Sequence, residues 1–242
     1  MMSIEQLLKV MNMKNSNKIL MTLALVFASV FAYAQDQETR DLDKFYEISV
    51  SEGIELIARK GSENKIELEV DYVDIDRVLT EVRGGSLRVH MERGNYRRKR
   101  VKAILTYTEE LEEIKVSTGA EAIFEDKITT QSLEVTTSTS GYVEIKSVAV
   151  DRLDMKASTS GRIDIEGTAE DLKAGASTGG TIYAYEVDAK DVRARANTGA
   201  DVRVNAEDFL TASAGTGGSV KYKGRPRTDV STNTGGSVRR SN

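Results

Sequence analysis

Apolar and polar residues alternate on either side of a recurring four-residue corner, and this alternation dominates the chain from residue 114 onward. The corner is a small residue, then Thr, then Gly or Ser, then a residue with little or no side chain. It occurs at Ser117-Thr118-Gly119-Ala120, Ser138-Thr139-Ser140-Gly141, Ser158-Thr159-Ser160-Gly161 and Ser177-Thr178-Gly179-Gly180. It returns at Asn197-Thr198-Gly199-Ala200, Gly215-Thr216-Gly217-Gly218 and Asn233-Thr234-Gly235-Gly236, the threonines stepping by 21, 20, 19, 20, 18 and 18 residues. Four residues after each Thr stand Ala122, Val143, Ile163, Ile182, Val202, Val220 and Val238, whereas the third positions (Glu121, Tyr142, Arg162, Thr181, Asp201, Ser219, Ser237) are mostly polar. Apolar residues on one parity and polar ones on the other predict half-buried strands. A strand, a tight corner and a second strand cannot bury their apolar face alone, so each unit must stack on the next. The expected fold is all-β, a parallel β-helix or solenoid with about 18–21 residues per coil. It narrows where Ala174, Ala176, Ala194, Ala196, Ala212 and Ala214 replace Val135 and Met155.

Upstream the same alternation predicts strands around Ile48 and Val50, then Ile54 and Leu56 after a bend at Gly53. Gly61–Asn64 reads as a turn before Ile66, Leu68 and Val70, and Asp74–Leu79 as a short helical turn or loop. Gly84-Gly85 separates strands at Val82 and at Leu87, Val89 and Met91. A basic loop, Arg93–Arg100, precedes a strand at Val101–Thr106.

The first residues break the pattern. Lys9, Lys14 and Lys18 precede an apolar run from Ile19 to Phe31, followed by Ala32-Tyr33-Ala34. A basic start, a short apolar middle and a small-x-small site predict a secretory signal peptide over 1–34, cut before Gln35. The run is shorter than the ~20 residues a membrane span needs. Residues 35–44 read as a disordered polar leader and 45–242 as one solenoid domain. The expected location is periplasmic, cell-surface or extracellular, with no transmembrane span after cleavage. The absence of Cys excludes disulfides, lipidation and thiol nucleophiles, and a formal charge of -4 argues against nucleic acid.

Phe45-x-x-Ile48-x-Val50 before Gly53-Ile54, the later Leu87-x-Val89, and Leu111-x-x-Ile114-x-Val116-Ser117-x-Gly119-Ala120 form a further set of motifs. As a set over about 45–242 they resemble the family described as "putative auto-transporter adhesin, head GIN domain", exported proteins common in Bacteroidetes. Glu55 stands where the family name has Asn, at an outward position. The resemblance implies a β-helical adhesin head and supplies no catalytic residue.

Candidate chemistry is sparse. The corner threonines share the parity of the apolar columns, so the simplest expectation is an inward hydroxyl stack. The alternative is an outward ladder binding ice or a crystalline polysaccharide. Ala149-x-Asp151, Ala169-x-Asp171, Ala189-x-Asp191 and Ala206-x-Asp208 predict turn caps, with cation binding as the alternative. Arg93, Tyr96, Arg97, Arg98, Lys99 and Arg100 form the densest basic cluster and the candidate binding patch for a glycan, an anionic surface polymer or a protein. No cofactor or metal site is read, and His90, the sole His, belongs on a solvated strand face. Glu144 and Asp164 are the one carboxylate pair suited to glycoside chemistry. The leading expectation is a non-catalytic, exported adhesin or ligand-binding protein. The alternatives are a carbohydrate-active β-helix enzyme and an element that self-assembles through its C-terminal end.

Overall fold

The computed structural model describes residues 36–96 and 98–241. The signal segment, Arg97 and Asn242 lie outside the described residues. Among the described residues there are seventeen strands and one 3-10 turn, at Ile75–Arg77. They are β1 (Asp36–Asp41), β2 (Glu47–Val50), β3 (Glu55–Lys60), β4 (Lys65–Asp71), β5 (Val78–Arg83) and β6 (Ser86–Met91). Then follow β7 (Arg100–Tyr107), β8 (Glu113–Val116), β9 (Glu121–Phe124), β10 (Ile128–Thr137), β11 (Tyr142–Ala157) and β12 (Arg162–Ala176). The last are β13 (Thr181–Asn197), β14 (Asp201–Gly215), β15 (Ser219–Lys223), β16 (Arg227–Thr232) and β17 (Ser237–Arg240).

From β8 onward the strands pair in parallel, each with its counterpart about twenty residues later, as the period requires. A register shift between Ile145 and Val148, and the gap in pairing at Asp151, divide the strand between two corners into three straight runs. One run leads into the corner (152–157), one leaves it (142–145), and a short third (148–150) closes the coil. Val143, Ile145, Val148, Leu153, Met155 and Ala157 point inward and are buried, so each coil lines a continuous core. The six narrowing alanines are buried in the same columns.

The N-terminal part departs from chain order. β2 lies between β6 and β8, and β3 lies between β7 and β9. The outermost coil is therefore β6, the described loop residues 92–96 and 98–99, and β7, and these loop residues form that coil's enlarged corner. Antiparallel β4 covers β7 and antiparallel β5 covers β6, ending the parallel stack at this side.

The leader expectation is corrected here. Residues 36–41 form β1, which pairs antiparallel with β4 from Asp36↔Val70 to Asp41↔Lys65. Polar side chains are no obstacle, because an edge strand binds through its backbone. Arg40 fastens it, donating to the Val78 carbonyl at 2.5 Å, to Thr80 Oγ1 at 3.2 Å and to Glu38 at 2.6 Å.

Candidate functional site

The corners form one straight edge of the solenoid. In all seven the fourth residue's N–H donates to the first residue's carbonyl at 2.8–3.2 Å. Thr at the second position has φ between 32° and 54°, and the Gly or Ser after it between 61° and 74°. Two consecutive left-handed residues are the signature of a type I′ turn. Ser51-Glu52-Gly53-Ile54 is an eighth corner of the same form, with φ 63° and 68°, and Glu52 takes the threonine's place.

This geometry overturns the expected inward stack. All seven threonines are exposed. Strand parity holds only while the backbone is extended, and two left-handed residues swing the Thr side chain to the solvent side. The turned peptide gains a second partner. Each Thr carbonyl accepts the N–H of the Gly or Ser in the preceding corner, from Gly53 N–H to Thr118 O through Gly217 N–H to Thr234 O, at 2.9–3.2 Å. The hydrogen-bond ladder thus runs unbroken along the edge. The small fourth residue has its own cause: a Cβ on Gly180 would lie 2.3 Å from the Ala157 carbonyl oxygen of the coil before.

At the head of this edge the basic loop folds over the first corners and leaves a cleft of about 510 Å³. Glu52, Thr118, Met91, Asn95, Tyr96 and Lys99 line it. Glu52 is held at both ends, its carboxylate accepting the Met91 N–H at 2.7 Å and its carbonyl accepting from the Lys99 ammonium. Burial holds Lys99 below the usual lysine range against the opposing pull of Glu52. Of the predicted basic patch, Tyr96 and Lys99 therefore face the cleft. Arg93 lies on the loop's other side with Tyr72, Asp74 and Arg77, and Tyr96 borders both hollows. Arg98 and Arg100 are exposed and line neither. Thr118 was read as a corner threonine, but Glu52 escaped the sequence reading, although Ser51-Glu52-Gly53-Ile54 fits the corner frame except for its glutamate.

The run that leaves the corners carries interlocked polar side chains. Arg162 lies between the rings of Tyr142 and Tyr183, 5.6 and 4.6 Å from their centroids, and Arg203 lies 4.5 Å from Tyr183. Arg162 also holds Asp164 through two nitrogens, at 2.9 and 2.6 Å. Glu144 and Asp164 are neighbours one coil apart, as expected. The Tyr142 hydroxyl lies between them, 3.3 Å from Glu144 and 3.2 Å from Asp164, and burial and both carboxylates push its pKa up. Both carboxylates are thus engaged within the protein, Asp164 by Arg162 and Tyr142 and Glu144 by Tyr142.

The aspartate column does not form. Asp171 pairs in register with Asp191, but Arg152 stands opposite Asp171 and Phe209 opposite Asp191. Coils of unequal length and the bulges at the bends shift Asp151 and Asp208 out of line. None of the four caps a turn; Asp171 and Asp191 sit within long strands. Among the described residues no group of three or more His, Asp or Glu is placed to hold a metal ion. Nor is any helix long and apolar enough to cross a membrane. His90 is half-buried on β6, its Nδ1 3.1 Å from the Met91 carbonyl.

Comparison with known proteins agrees with this architecture. A putative adhesin from Bacteroides fragilis superimposes with a TM-score of 0.78 at 19% identity, covering 87% of this chain and 98% of that one. A protein from Parabacteroides distasonis, titled a putative lipid binding protein, gives 0.66 at 20% identity over 86% and 97%. A putative adhesin from Parabacteroides merdae gives 0.65 at 19% over 87% and 98%. At these identities the likeness is one of fold. No curated protein matches the chain. The family model described as "Putative auto-transporter adhesin, head GIN domain" matches residues 44–226, well over half the sequence, and the chain belongs to that family.

Proposed function

We propose that this protein is an exported, non-catalytic adhesion module that holds a repeating polymer against its threonine edge. The observation that carries the reading is the conformation of the seven threonines. A β-branched residue is a poor occupant of the left-handed region, where Gly, Asn and Asp are at ease. The corner demands positive φ and does not demand threonine. What threonine adds is an exposed hydroxyl and methyl, repeated at the coil spacing of about 4.8 Å. A rigid rank of that kind matches a ligand with its own period, and an extended polysaccharide is such a ligand. The basic loop closes the head of the rank, where Tyr96 and Lys99 meet the end of the bound chain. Export rests on the signal segment and on the family. The non-catalytic reading is supported by the Glu144 and Asp164 carboxylates being taken up by Tyr142 and Arg162.

Two measurements test it together. The protein is incubated with insoluble cellulose, chitin and peptidoglycan and with a soluble glycan array, and reducing-sugar release is followed in parallel. Binding to at least one polymer is expected, and it should fall at least tenfold in T159N/T178N/T198N, with no sugar released. Undiminished binding by that variant would remove the threonine edge from the function, and turnover of any polymer would make the protein an enzyme.

A further inference from the structure

On the run that leads into the corners, outward side chains form a regular grid. One column reads Thr136, Lys156, Gly175, Arg195, Ser213, and the next reads Glu134, Asp154, Lys173, Arg193, Thr211. Gly175 interrupts the first column and opens a notch of about 340 Å³, bordered by Lys156, Lys173, Arg193, Arg195 and Asp154. The backbone does not require glycine there. Gly175 does not have a positive φ, and a Cβ would meet nothing nearer than the Met155 carbonyl oxygen at 3.9 Å. Glycine weakens a strand interior, and where neither a bulge nor a bend explains it, it marks a close approach by another group.

The charges around the notch are unequally satisfied. Lys156 pairs with Glu134 at 2.6 Å and Lys173 with Asp154 at 2.9 Å. Among the described residues Arg193 has no carboxylate partner, and Arg195 has only the Ser213 hydroxyl at 3.3 Å from Nε. The two arginines are two residues apart on one strand and so stand side by side on one face. Paired guanidinium forks suit a carboxylate or sulfate better than they suit any neutral group. Asp154 also borders the notch; its Oδ1 has no hydrogen-bond donor and is closed off from solvent, so a ligand reaches that carboxylate only as its side chain turns. A carboxylate beside the two arginines repels a simple anion, whereas a sugar hydroxyl can donate to it.

We infer that the Gly175 notch binds an acidic sugar, with the carboxylate of a uronic acid on Arg193 and Arg195 and a ring hydroxyl donating to Asp154. The site goes beyond the threonine edge and does not depend on it, since it is read with a soluble oligosaccharide and the edge with an insoluble polymer.

The test is calorimetric titration of the protein with trigalacturonate, maltotriose and sodium sulfate at low salt. Trigalacturonate should bind, with affinity falling as salt rises, and maltotriose should not. G175L fills the notch from the surface, and R193Q/R195Q removes the forks; each should lose at least tenfold in affinity while circular dichroism and the melting curve stay unchanged. D154N should lose affinity for trigalacturonate and not for sulfate. Unchanged affinity in G175L would overturn the site. So would a wild-type protein that ignores trigalacturonate. Sulfate binding as tightly as the sugar, with D154N silent, would overturn the sugar assignment.

Discussion

Replacing the three central corner threonines in T159N/T178N/T198N should make the protein more stable. Thr159, Thr178 and Thr198 have φ of 48°, 50° and 52° and are exposed, so no core contact is lost. Their carbonyls would still accept from Ser140, Ser160 and Gly179, because those bonds belong to the backbone. A residue held in a sparsely populated region costs on the order of 1–3 kcal/mol. Asparagine is several-fold enriched at left-handed φ, which corresponds to a relief of roughly 0.5–1 kcal/mol per site. Against this stands the loss of contact between stacked threonines, roughly 0.2–1 kcal/mol per neighbouring pair. Four pairs are affected (Thr139/Thr159, Thr159/Thr178, Thr178/Thr198 and Thr198/Thr216), but asparagines stack in ladders of their own and restore most of it. The net expectation is a gain of about 1–2 kcal/mol, or a rise in Tm of about 2–8 °C for a domain of this size. Thermal melting followed by circular dichroism reads it directly. A fall of several degrees would show that the threonines hold the stack together, and would remove the reason for assigning them to a ligand.

Three further outcomes follow from particular contacts. Gly167 has φ 137°, and a Cβ there would lie 2.0 Å from the Val148 carbonyl oxygen, so Gly167→Ala should cost about 2–4 kcal/mol in denaturant titration. Arg162→Ala removes two cation–ring contacts and the Asp164 pair, and should cost about 1–2 kcal/mol. A double-mutant cycle with Tyr183→Leu should return a coupling of roughly 0.5–1 kcal/mol. The Lys156 hydrogen bond holds Glu134 below the ordinary glutamate value of 4.5. Its folded pKa lies under its unfolded one, so its contribution is present above that value and is lost as the pH falls through the folded pKa. Glu134→Gln should therefore cost less than about 1 kcal/mol at neutral pH, the pair being half-exposed, and the difference from wild type should disappear in acid.

The period and the parity of the strands were legible because each rests on local chemistry repeated many times. Val143, Ile163, Ile182, Val202 and Val220 stand on the inward side as the alternation requires. Parity failed at the corners because it presumes extended backbone, and Thr-Gly there occupies two left-handed positions in succession. A Gly or Ser after each Thr signalled one such residue; a β-branched residue in the other gave no sign of it. Upstream, the strands around Ile48, Leu56, Leu68, Leu87 and Val101 were recognisable singly. Their order in the stack was not, since no repeat marks Ile48 as the neighbour of both Leu87 and Ile114. Asp36–Asp41 carries no apolar alternation at all, because its pairing with β4 is made by backbone and by Arg40. The basic loop was visible as composition, but its place as a coil's corner depends on that same interleaved order. The notch at Gly175 was invisible for the opposite reason: one glycine in an alternating strand looks like any other small residue until the columns on either side are known.

Because β2 and β3 are sandwiched between strands that come later in the chain, the amino-terminal segment works as an inner plank instead of a lid. One of its sheet edges waits for residues up to 107 and the other for residues up to 124, and trimming residues 45–60 would leave two half-stacks facing each other across a gap. Shortening this protein safely therefore means removing whole turns from its far side, where each plank touches only the one before and the one after.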